Sequence, residues 1–155
     1  MNEVYRQAED LLNEVFAASK FDLRATHSET EDQPPVIDVD GSDAALLRNE
    51  NGELLDSFES LVNQIFARQL PAGERITCDV GGFRAFREAE LRAMARHAAE
   101  RVRTTGVPFT FGTMNANERR VIHLSLADEL DLLTESIGEG SARRLRVVMK
   151  SVTPQ

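Results

Sequence analysis

Residues 115–127 read NANERRVIHLSLA. Asn115 is a favoured helix N-cap, and Glu118 three positions on resembles the second member of a capping box, so a short helix is predicted to start here. Ile122 and Leu126 supply its apolar side. Arg119 and His123 are four apart and stack on one helical face, one turn from each other, with Arg120 beside them. Arginine offers a planar fork of donors that fits a phosphate, and a histidine one turn away can donate to the next phosphate or sugar oxygen, or lay its ring on a base. The same spacing also suits an ordinary amphipathic helix whose histidine is half-buried beside the core. The choice between the two depends on the rest of the chain.

On the N-terminal side, Phe86 to about Thr104 predicts a long helix that buries Leu91, Ala95, Ala98 and Val102 and ends at Gly106. Arg92, Arg96 and Arg103 fall within about 40° of one another on its polar side. The segment VPFTFGTM alternates Val107, Phe109 and Phe111 with polar or small residues and predicts a half-buried strand. On the C-terminal side, LLTES, a glycine turn at SIGEGS and RRLRVVMK predict two more strands. Leu145, Val147 and Met149 face one way in the last of these, and Arg144, Arg146 and Lys150 the other. Residues 82–152 thus form a helix–strand–helix–strand–strand unit with basic side chains on three of its elements. If those elements form one layer, their charges add.

The first half is built differently. Val4, Ala8, Leu11, Leu12, Val15 and Phe16 recur at helical spacing. FDLRATH and PPVIDVDG predict strands flanking a loop at SETEDQPP, and SDAALLR a two-turn helix capped by Ser42. After a break at Asn49-Glu50-Asn51-Gly52, GELLDSFESLVNQIFARQL is a strongly amphipathic helix, and RITCDV a further strand. Residues 1–80 therefore read αββααβ, and Gly81-Gly82 marks the boundary.

Charge changes sign across that boundary. Residues 1–80 carry 6 basic and 17 acidic side chains, residues 81–155 carry 12 and 9, within a total of −8. A phosphate backbone responds to the local field, so a basic half on an acidic whole keeps nucleic-acid binding open. Other classes recede. The single cysteine, Cys78, alternates with Ile76 and Val80 as an inert core thiol and excludes an internal disulfide. His27, His97 and His123 show no metal-ligand spacing, and nucleophile-elbow and phosphate-loop motifs are absent. Asp128, Glu129 and Asp131 read as a solvated acidic turn. The expectation is a binding protein without a cofactor rather than an enzyme. With no signal-peptide pattern and no apolar run long enough for a bilayer, it is also expected to be cytoplasmic and without membrane insertion.

The stretches DVGGFRAFREAELRAMARHAAERVRTTG, MNANERRVIHLSL and LLTESIGEGSARRLRVVM together resemble the R-3-H domain, named for an arginine and a histidine separated by three residues. Arg119 and His123 match that pair. The preceding half resembles a type II KH domain, with GELLDSFESLVN similar to the helix that follows its Gly-x-x-Gly loop. A KH domain followed by an R-3-H domain is the arrangement of the bacterial Jag (KhpB, EloR) family. The resemblance implies an α+β protein of two small domains, KH-like over 1–80 and R-3-H-like over 82–152. It also implies single-stranded RNA or DNA as ligand, a link to cell elongation and division, and a small KH-domain protein or a second copy as partner. The separate N-terminal domain of some members has no counterpart in the sequence. Arg119 and His123 would form the binding centre, supported electrostatically by Arg120, Arg92, Arg96, Arg144 and Arg146.

The loop departs from the KH pattern. Gly52 matches the second glycine, and Asn49, which tolerates the left-handed conformation, replaces the first. Glu50 would face a phosphate with like charge, opposed only by Arg48, with Asn51 neutral beside it. The KH-like half is therefore expected to be degenerate for RNA and retained for fold or pairing. The alternative is a protein-interaction adaptor that docks or dimerises through this acidic half, with RNA binding weak or lost.

Overall fold

A computed structural model describes residues 2–30 and 33–151, and the chain divides into two compact units, residues 1–84 and 85–155. In the first, α1 (Asn2–Ala18) precedes the hairpin β1 (Arg24–Thr30) and β2 (Gln33–Asp40); α2 (Ala44–Arg48) and α3 (Glu53–Phe66) then cross over to β3 (Thr77–Asp79). β2 pairs antiparallel with β1 and parallel with β3, placing Ile37 opposite Cys78. The parallel pairing requires the helical crossover, because parallel neighbours cannot be joined by a tight turn.

The apolar stripes of α1 and α3 cover this sheet. Leu12, Phe16, Leu55 and Val62 are all buried, and the Phe16 and Phe58 rings meet edge to face at 5.1 Å. Asn63 is the polar residue within the core. Its Nδ2 donates to the carbonyls of Glu59 and Ile76, both at 2.8 Å, and its Oδ1 accepts from Ile76 N–H at 2.9 Å, fastening the approach to β3 onto α3.

In the second unit α4 (Phe83–Thr105) leads through β4 (Phe109–Thr110) and α5 (Ala116–Ser125) to the hairpin β5 (Leu132–Ile137) and β6 (Arg144–Met149). The sheet order is β4-β6-β5, antiparallel throughout, so β5 is an outer strand. Leu91, Ala95, Ala98 and Val102 of α4 pack with Phe111, Ile122, Leu126, Leu132, Leu145 and Val147. The first two residues of α4 belong to the first unit for a local reason. Phe83 packs against its core, and Arg84 binds Asp56 at 3.0 Å, Glu59 at 2.7 Å and the Cys78 carbonyl at 2.7 Å.

Several expectations are corrected. The cap of α2 is Asp43, not Ser42, whose hydroxyl donates to Asp22 instead. The strand expected over VPFTFGTM shrinks to Phe109–Thr110, the two residues in register with β6; Phe111 N–H adds one bond to the Leu145 carbonyl at 2.9 Å, and Val107 is exposed. The loop expected at SETEDQPP is largely strand on both sides, with Glu31 and Asp32 outside the described residues. Cys78 is fully buried, and burial, aided by Glu59, pushes its thiol up to about 12.

Candidate nucleic-acid interface

The N-terminus of α5 is fixed twice. Asn115 Oδ1 accepts from Glu118 N–H at 2.9 Å, as a cap should. Glu118 does not return the bond to Asn115. Its buried carboxylate accepts from Arg87 Nε at 2.9 Å, so half of the predicted capping box is exchanged for a tie to α4. With Glu118, Ile122 and Leu126 turned inward, Arg119 and His123 emerge at one flank of the helix.

Arg119 is half-buried. Its Nη1 donates to the Met114 carbonyl at 2.5 Å and lies 3.5 Å from the Arg143 carbonyl, bracing the entry to α5 against the start of β6. Nε and Nη2 have no partner among the described residues. His123 is exposed, which removes the half-buried alternative. Its Nδ1 meets Thr134 Oγ1 of β5 at 2.5 Å, and Nε2 has no partner among the described residues. Both side chains are thus held by an inner nitrogen while outer nitrogens stay available.

The remaining arginines do not join them in one layer. Arg120 is exposed on the adjacent face of α5, without an ion pair among the described residues. Arg92 and Arg96 line a groove of about 490 Å³ with Glu88, Glu129, Val121, Leu124 and Ser125. At 100° per residue, Val121 and Ser125 lie about 160° around α5 from Arg119 and His123, so this groove is on the helix's other flank. Arg92 is also paired with Glu88. Arg144 and Arg146 stand opposite Ile137 and Glu135, on the sheet face away from the buried Leu145 and Val147, and Arg146 is paired with Glu135 at 2.6 Å. Arg103 is held by Glu129 and by Asp131 at 2.7 Å, so those acids form a clamp rather than a merely solvated turn. Thr134 and the carbonyls of Met114 and Arg143 are the contributors that sequence reasoning missed. Alternation with Leu132 puts Thr134 on the core side, but which helix residue it meets is a tertiary fact.

The Asn49–Gly52 turn takes a different shape from the one predicted. Asn49 is extended (φ −64°), and the left-handed residues are Glu50 (φ 48°), Asn51 (φ 58°) and Gly52 (φ 86°). Glu50 is exposed at the tip. The Arg48 guanidinium reaches toward Gly81, within 3.0 Å of where a Cβ there would stand. Gly52 is buried against Phe83. Among the described residues, no group of three or more His, Cys, Asp or Glu side chains could hold a metal, and no helix is long and apolar enough to cross a membrane.

Residues 89–149 match the R-3-H domain family, so the second unit carries an R-3-H domain. Over a longer stretch the chain is similar to the RNA-binding protein KhpB of Clostridium symbiosum, 29% identical over 146 residues, covering 93% of this chain. It is likewise similar to the RNA-binding protein KhpB of Bacillus subtilis (strain 168), 29% identical over 114 residues, covering 72% of this chain. The chain spans 65% and 55% of the length of those relatives. The chain is thus similar to the KhpB proteins over most of its length, and its own fold is mixed α+β.

Proposed function

We propose that this chain binds single-stranded nucleic acid, RNA first, through its second unit, with Arg119 and His123 as the centre. The observation that carries this reading is the shared arrangement of those two side chains, one helical turn apart with outward nitrogens unengaged. An arginine fork and an imidazole so placed suit neighbouring phosphate and sugar oxygens. The names of the similar proteins, both RNA-binding, support the same ligand. Arg120 adds field nearby. Arg92, Arg96, Arg144 and Arg146 act at longer range, given their positions and, for Arg92 and Arg146, their counterions. The protein works as a binding protein and not an enzyme, in the cytoplasm, in a role related to cell elongation and division.

The first unit is a KH-like domain kept for its fold or for pairing with a small KH protein or a second copy. Its loop presents an exposed Glu50, a charge that repels phosphate, which also favours the second reading: an adaptor that docks through the acidic half. Anisotropy of a labelled single-stranded RNA across a salt series separates the two. One phosphate neutralised by Arg119 predicts a log–log salt slope of about −0.7. An Arg119→Ala/His123→Ala variant with wild-type circular dichroism should lose most of the affinity. Equal, weak binding by both proteins would leave the adaptor reading.

A further inference from the structure

We infer that Thr134 is a positioning residue for His123, holding the imidazole so that Nε2 faces the nucleic-acid strand; this rests on the nucleic-acid reading above. Thr134 lies opposite Val147 in the β5–β6 register, on the sheet face that packs against the core, and is half-buried. Leu132, two residues earlier on that face, is fully buried. A valine would satisfy both the packing and the strand preference at this position, so the hydroxyl is the feature that needs a reason. Its hydrogen-bond partner is His123 Nδ1.

An exposed histidine ordinarily samples several rotamers, and freezing it on binding costs free energy. The bond to Thr134 fixes the ring in advance. It also governs what Nε2 can offer. When the neutral ring accepts from the Thr134 hydroxyl at Nδ1, its proton resides on Nε2. When the ring is cationic, Nδ1–H donates to Thr134 Oγ1 and Nε2–H remains a donor. In these two states a donor faces away from β5, which is what a phosphate or sugar oxygen requires; a neutral ring with its proton on Nδ1 would present an acceptor instead. Arg119 is treated the same way by the Met114 and Arg143 carbonyls, so α5 carries two groups anchored from behind.

The test uses the full chain, a fluorescein-labelled oligouridine and the ring nitrogen spectrum of ¹⁵N-labelled histidine. Thr134→Val keeps the shape and removes the hydroxyl; Thr134→Ser keeps the hydroxyl. Losing one such hydrogen bond predicts about a fivefold loss of affinity for Thr134→Val. Its His123 ring nitrogens should move toward a mixture of tautomers. Thr134→Ser should retain the wild-type spectrum and most of the affinity. In a His123→Ala background, Thr134→Val should have no further effect. Unchanged ring nitrogens in Thr134→Val, or an equal affinity loss in the His123→Ala background, would overturn the positioning role. Wild-type affinity in His123→Ala alone would instead overturn the nucleic-acid reading on which it rests.

Discussion

Gly52 shows how one residue can satisfy a motif for reasons unrelated to its ligand. Its φ of 86° favours glycine, and a Cβ there would stand 2.7 Å from Phe83 Cε1. Left-handed backbone alone costs an L-residue roughly 1–2 kcal/mol, so Gly52→Ala should lose about that or more in urea denaturation. Unchanged stability would contradict the packing explanation. The same geometry makes Gly52→Asp a test of folding rather than of phosphate binding. Cys78, with its thiol pushed up to about 12, should stay unreactive toward a disulfide reagent at neutral pH until the chain unfolds. Asp131 moves the other way: its hydrogen bond to Arg103 lowers its carboxyl to about 2. Because the folded value lies below the unfolded one, this link contributes above an ordinary aspartate pKa and is lost as pH falls toward 2. NMR titration should find that midpoint, and Arg103→Ala should return it to the ordinary range.

At the scale of elements, the start of α5 depends on Asn115 and on the Arg87–Glu118 pair. Asn115→Ala should cost about 1 kcal/mol, read as a lower denaturation midpoint. Glu118→Ala should cost more, about 2 kcal/mol, because it takes the Nε partner from a largely buried guanidinium and leaves it only Glu90 at 2.6 Å. Equal losses would mean that the pair is no anchor. These elements also show what sequence makes legible. The helices were readable because their apolar positions repeat locally: Leu91, Ala95, Ala98 and Val102 are all buried as the spacing predicts. Strand lengths were less so, since β3 and β4 extend only as far as a distant partner pairs with them. Arg119 and His123 followed from spacing, yet the separation of Arg92 and Arg96 from them did not. Nothing local in the sequence says which flank of α5 faces α4, or that Glu135 stands opposite Arg146. The turn at Asn49–Gly52 is readable from its residue types, but which of them turn left-handed is not.

At the scale of the whole molecule, the charge division and the two compact units lead to one claim: strand contact belongs to the basic unit and not to the acidic turn at Asn49–Gly52. The most direct measurement is a titration of the ¹⁵N-labelled full chain with a single-stranded oligonucleotide, followed residue by residue in amide spectra. The account predicts shifts concentrated at Met114, Arg119, His123, Thr134 and Arg143, with Asn49 to Gly52 unmoved. Shifts centred on Asn49 to Gly52, with the α5 residues silent, would contradict it.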